Sequence, residues 1–194
     1  SSDLERIMNL WMAHDYVEPY QGQSIEEAAE DHFHILVQRC FFQVVDESKI
    51  YGKLFKIHDL MREMAQEIAG DEFSIVHSAR SNPGKSVRHV YDTALPDIEG
   101  FITGSKLRTY VRDYTNTYAI ICDGCQFPTS KVIENWSGLR ALILRGSDIR
   151  CLPDKIGKLL HLRHLDLSLN RRMKMLPDSL TDLINLQSLN LYGC

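Results

Sequence analysis

Three nine-residue segments bound most tightly what this chain can fold into. LRALILRGS (Leu139–Ser147), LRHLDLSLN (Leu162–Asn170) and LQSLNLYGC (Leu186–Cys194) begin 23 and 24 residues apart. In each, leucines recur as LxxLxLxx(N/C)xL, a pattern that lays one short strand per repeat beside the strand before it. No such unit can bury its apolar face alone, so neighbours stack over a shared, curved core. After its strand the first repeat runs through Leu152-Pro153, Ile156 and Leu159, and the second through Leu176-Pro177, Leu180 and Leu183. Asn170 and Cys194 hold the position whose side chain satisfies backbone groups at the turn, and Ser147 holds it in the first repeat. Residues alternating with the leucines face the concave side: Ala141, Ile143 and Arg145, then His164, Asp166 and Ser168, then Ser188, Asn190 and Tyr192. Upstream, VRHV (Val87–Val90) and LRTY (Leu107–Tyr110) read as degenerate repeats without the third leucine.

The first part of the chain has a different period. Leu4, Ile7, Met8, Leu10 and Trp11 make a helical stripe, and SIEE (Ser24–Glu27) is a capping box opening a second helix. That helix is expected to carry Ile25, Ala28, Ala29, Leu36 and Cys40 inward. The β-prone runs FFQVVD and KLFKIH suggest a hairpin, with Gly52 relieving the turn. In KIHDLMREMAQEIAG, Ile57, Leu60, Met61, Met64, Ala65 and Ile68 recur at helical spacing, with Asp59 as expected N-cap and Gly70 as stop. Helices carrying a β-hairpin form a winged-helix arrangement. The expected fold class is therefore mixed: an α-rich winged helix over residues 1–80, then the start of an α/β leucine-rich-repeat solenoid. The latter covers residues 81–194, irregular over 81–138 and regular over 139–194. SARSNPGKS (Ser78–Ser86) supplies the linker.

Composition narrows the function classes. Hydrophobic content of 44% with 25% charged residues belongs to a soluble globular chain, and no apolar run is long enough for a membrane-spanning helix. The chain opens inside an amphipathic pattern and closes partway through a repeat, which reads as a fragment of a longer protein. Net charge is −4, split as 15 acidic against 6 basic residues over 1–79 and 11 against 16 over 80–194. The acidic helices of the first part repel a DNA backbone. Ala79–Ser86 imitates a phosphate loop but lacks the first glycine, and a β-prone segment follows where the loop needs a helix. Cys122 and Cys125 form a lone CxxC without the further ligands a closed zinc site needs, and five scattered cysteines fit reduced cytosolic thiols. Adjacent His58 and Asp59 cannot build a nucleophile–base–orienter arrangement, so no catalytic residue is expected.

LWMA (Leu10–Ala13), EAAEDHFHILVQR (Glu27–Arg39), KIHDLMREMA and the Leu-Pro repeats occur in one order. Together they resemble the plant immune receptors of the coiled-coil, nucleotide-binding, leucine-rich-repeat type, over nearly the whole chain. Ile57-His58-Asp59 matches that family's Met-His-Asp motif with Ile for Met, while His14 and Asp15 depart from its usual Glu-Gly. The resemblance implies that His58, supported by Asp59, contacts the phosphates of ADP held by a preceding nucleotide-binding domain. Exchange for ATP would then release the winged helix. It also implies a cytoplasmic switch rather than an enzyme, with weak ATPase at most and no tight nucleotide binding by this segment alone. Oligomerisation on activation, and a pathogen effector or guarded host protein as partner, complete the implied picture. The repeat face (Arg145, His164, Asp166, Ser168, Asn190, Tyr192) would sense that protein, and the basic residues Arg140, Arg145, Arg150 and Arg163 would dock the repeats on the acidic unit. A leucine-rich adaptor without nucleotide control and a winged-helix nucleic-acid binder are the alternatives.

Overall fold

The computed structural model describes residues 3–48, 52–76, 86–93, 106–113 and 133–194. The chain divides into two compact units, Ser1–Gly70 and Asp71–Cys194.

In the first unit, helix α1 (Asp3–Ala13) packs on helix α2 (Ile25–Gln38). The capping box forms as the sequence predicts: Ser24 Oγ accepts from the Glu27 N–H, and Glu27 accepts from the Ser24 N–H. Two orphan donors of the helix start are thereby satisfied. Met12, Val17, Ala28 and Ala29 form a small core, on which Met8, Trp11 and Ile25 rest. Phe33, which the periodicity reading passes over, is the hub of a second cluster. Its ring stacks on Phe42 at 5.3 Å and meets the edge of Phe55 at 4.8 Å, tying α2 to strands β1 (Phe42–Ser48) and β2 (Gly52–Ile57). Those strands pair antiparallel, with a register shift between Val44 and Asp46. Leu36 is only half-buried, and Cys40 is exposed rather than inward. The helix stops at Gln38 and Cys40 turns to φ +59°, which takes it out of helical phase. Helix α3 (Asp59–Ala69) ends at Gly70, φ +46°, whose N–H reaches the Gln66 carbonyl. No α3 residue is buried, so its stripe of Leu60, Met64 and Ile68 lies open.

The second unit is one six-stranded parallel sheet with its strands in chain order. They are β3 (Phe73–Val76), β4 (His89–Asp92), β5 (Thr109–Asp113), β6 (Ala141–Arg145), β7 (His164–Asp166) and β8 (Ser188–Asn190). The sequence reading divides the chain at 80/81; the compact units part at Gly70/Asp71, because β3 pairs with β4 and belongs to the sheet. One sheet face is apolar. Val90, Tyr110, Leu142, Leu144, Leu165 and Leu167 point into a core closed from the loops by Ile149, Leu152, Ile156, Leu159, Leu162 and Leu183. Each fully buried leucine there contributes about 1.5–3 kcal/mol. Pro153 and Pro177 precede short 3-10 helices, Asp154–Lys158 and Asp178–Asp182, on the side away from the strands. These turns approach so closely that a Cβ on Gly157 would stand 2.6 Å from the Ser179 carbonyl oxygen.

The turn position behaves unequally across the repeats. Asn170 Oδ1 accepts from the Ile149 N–H at 3.0 Å, and its amide donates to the Leu144 and Leu167 carbonyls at 2.8 and 2.6 Å. The Cys194 thiol donates to Leu167 at 3.0 Å, whereas the Ser147 hydroxyl is buried without a partner. In the degenerate repeats, the third-leucine position is taken by charge. Asp92 and Arg112 occupy it on β4 and β5, paired with each other and almost fully buried. Arg112 Nε donates to Asp92 at 2.9 Å, and the Tyr110 hydroxyl donates to the same carboxylate. No helix among the described residues is long and apolar enough to cross a membrane.

Candidate functional site

The first candidate site is the corner between β2 and α3. His58 leaves the hairpin with its N–H donating to the Phe41 carbonyl, in extended backbone, and its own carbonyl accepts from Arg62 at 2.9 Å. The helix cap is His58, not Asp59: His58 Nδ1 accepts from the Leu60 N–H at 3.3 Å. Asp59 is one residue too late to cap, because it already has helical backbone. Its carboxylate instead lies 3.8 Å from Lys56 and 3.6 Å from Arg62, where it also favours the positive helix end. Acceptance at Nδ1 puts the ring proton on Nε2. His58 is exposed, and the bond to Nδ1 leaves the Nε2–H as the ring's remaining donor. An oriented N–H at a helix start is a donor suited to an anionic oxygen.

The second candidate site is the sheet face opposite the leucines, where registered strands produce rows. His89, Thr109, Ala141, His164 and Ser188 make one row, and Tyr91, Val111, Ile143, Asp166 and Asn190 the next. A third continues past the strand ends as Asp113, Arg145, Ser168 and Tyr192. Of the expected interaction residues, His164, Asp166 and Ser168 are buried, Arg145 and Asn190 half-buried, and Tyr192 exposed. Cross-strand bonding accounts for part of this. His164 Nδ1 bonds Ser188 Oγ, and Asp166 accepts from the Ser168 N–H at 2.8 Å and from the Asn190 amide at 3.2 Å. In the first row, His89 Nδ1 lies 3.0 Å from Thr109 Oγ1, a pairing the sequence reading missed. Burial holds the His89 pKa below the ordinary histidine value; Glu72 opposes this and Arg88 adds to it.

The basic residues Arg140, Arg145, Arg150 and Arg163 separate by their place in the repeat. Arg140 and Arg163 precede β6 and β7, Arg145 closes β6, and Arg150 is exposed in the following loop. Arg88 and Arg108 share the pre-strand position, so arginines recur along one edge of the sheet. The repeated V/L-R dipeptides carry that signal. No group of metal-ligating side chains occurs among the described residues. Cys122, Cys125 and nearly all of the phosphate-loop imitation lie outside them.

Residues 2–65 match the winged helix domain of disease resistance proteins. Beyond that domain, a Solanum bulbocastanum protein named for disease resistance, RGA1, is 31% identical over 88% of this chain and 14% of its own length. Disease resistance RPP13-like protein 4 of Arabidopsis thaliana is 30% identical over 98% of the chain and 22% of its own length. The chain belongs to the plant disease resistance protein family. Disease resistance protein RPM1 of Arabidopsis thaliana is 29% identical over 77% of the chain and 16% of its own length. The winged-helix domain of the family thus covers α1, α2, the hairpin and the His58 corner, and likeness to disease resistance proteins continues across the sheet. The chain spans about a fifth or less of these relatives' lengths.

Proposed function

We propose that this chain is a regulatory segment of a nucleotide-switched plant immune receptor, in which His58 reports the nucleotide state. The observation that carries the reading is the corner itself: an exposed histidine at a helix start, its ring held through Nδ1 so that Nε2–H is left to donate. A donor so held meets a phosphate oxygen without first losing rotamer freedom. Asp59 acts at one remove, placing its carboxylate between Lys56 and Arg62 and fixing the first turn. ADP bound by a preceding domain would be the ligand, and exchange for ATP would shift the equilibrium toward release, since only differential contacts move a two-state switch. The leucine repeats form the start of a leucine-rich-repeat solenoid that senses an effector or a guarded host protein. The family assignment supports the immune role, and the stacked parallel strands support the solenoid.

The test is the ADP carried through purification by the full-length receptor. One lost charge-assisted hydrogen bond is worth about 1.5–3 kcal/mol. His58→Ala should therefore weaken ADP retention roughly 10- to 100-fold, and Asp59→Val should weaken it less. Undiminished ADP in folded His58→Ala protein refutes the assignment.

A further inference from the structure

The third row of the repeat face contains a set of donors that nothing in the fold uses. Arg145 is half-buried, and its Nε is fully buried without a hydrogen-bond partner. No acidic side chain among the described residues pairs with its guanidinium. Ser168, adjacent on the next strand's extension, is 1% exposed, and its hydroxyl is likewise buried and unpartnered. Tyr192 follows and is exposed. Main-chain bonds hold these positions side by side, from Gly146 N–H to the Ser168 carbonyl at 2.9 Å and from Leu169 N–H to the Tyr192 carbonyl at 2.7 Å. A desolvated guanidinium donor with no acceptor costs folding free energy, and folds keep such a group where a ligand supplies the acceptor.

We infer that Arg145, Ser168 and Tyr192 form a receptor for one carboxylate, an Asp or Glu side chain of a protein partner. Arg145 provides the charge and the fork geometry that fits a carboxylate, Ser168 a hydroxyl beneath it, and Tyr192 a phenol at the open side. Asp113 begins the same row, in register with Arg145, and Asp166 borders it. Asp166 is already committed to the Ser168 N–H and the Asn190 amide, so it does not satisfy Arg145. The two native carboxylates also set selectivity. They repel a doubly charged phosphate about twice as strongly as a carboxylate at the same distance. The inference rests on the proposed protein-sensing role of the repeats and adds the chemistry of the group sensed.

The experiment uses the intact protein and three short peptides: one alternating glycine with glutamate, its glutamine twin, and its phosphoserine twin. Binding is read by fluorescence anisotropy, and thermal midpoints are recorded for the native protein, Arg145→Met and Ser168→Ala. The glutamate peptide should bind at least about tenfold more tightly than the glutamine twin, and Arg145→Met should erase that difference. The phosphoserine twin should bind no better than the glutamate peptide. Because Arg145 lacks a partner, Arg145→Met should unfold no earlier than the native protein, whereas a structural arginine would lose stability. An equal response to glutamate and glutamine, or a preference that survives Arg145→Met, overturns the carboxylate assignment while leaving the face able to bind protein. Tighter phosphoserine binding overturns its selectivity, an early-melting Arg145→Met overturns the functional role of Arg145, and no binding of any peptide overturns both readings.

Discussion

His89 shows how one side chain links the repeat face to pH. Its ring sits in a half-buried row beside Thr109, with Glu72 and Arg88 as charged neighbours. Burial disfavours the imidazolium, so the folded protein binds this proton less readily than the unfolded chain. The contribution is therefore fully present above the ordinary histidine value of about 6.5 and is lost as pH falls below it toward the lower folded value. Denaturant midpoints of the second unit should drop more steeply below about pH 6.5 in the native protein than in His89→Gln. A parallel pH dependence in the two proteins would show that another group titrates. Asn170 illustrates the opposite economy: one uncharged amide holds three backbone groups from two successive turns.

At the level of elements, β4 and β5 are held together by charge where β6 and β7 use leucine. Breaking one side of a buried ion pair strands the other charge, at about 3–5 kcal/mol, whereas replacing both with apolar residues is often neutral or better. Arg112→Leu should accordingly destabilise the sheet by about that amount, and the Asp92→Leu, Arg112→Leu double variant should recover most of it despite the idle Tyr110 hydroxyl. Amide protection across β4 and β5 measures both, and a double variant as unstable as the single one would contradict the account. These strands also mark what the sequence reveals. Strands β6 to β8, the Leu-Pro turns and the Asn170 slot follow from leucine spacing because a repeat restates its own rule. The Asp92–Arg112 pair was visible only as missing leucines, since the residues lie 20 apart and become neighbours through sheet register. At the candidate corner, the sequence reading assigns the cap to Asp59 and the structure gives it to His58, because the cap depends on where helical backbone begins. Burial of His164, Asp166 and Ser168 was likewise out of reach: alternation assigns a face and not its cover.

The two units differ in how their apolar surface is used. In Asp71–Cys194, one leucine-built core runs beneath the sheet, and Leu139, Leu142, Leu144, Leu162, Leu165 and Leu167 are fully enclosed. In Ser1–Gly70, enclosure concentrates around Phe33 and the paired alanines while α3 stays open. Local opening is cheapest where few apolar contacts must break. Hydrogen exchange on the intact protein should find the slowest amides in β6 and β7 and the fastest helical amides in α3. Under the proposed role of His58, ADP added to the full-length receptor should slow the α3 amides selectively, because a ligand stabilises the state that it binds, and unchanged α3 exchange would count against that role.

Along the edge where the strands begin, the carbonyls of Arg88, Arg108, Arg140 and Arg163 each accept from two successive amides of the next repeat. The fastening there belongs chiefly to the main chain, and some side chains add to it: Arg88 pairs with Glu72 at 3.3 Å, and Arg108 donates to the Gly138 carbonyl at 2.9 Å. Because every side chain leaves its own carbonyl in place, the electrical character of that rim can change while the main-chain ladder keeps the spacing.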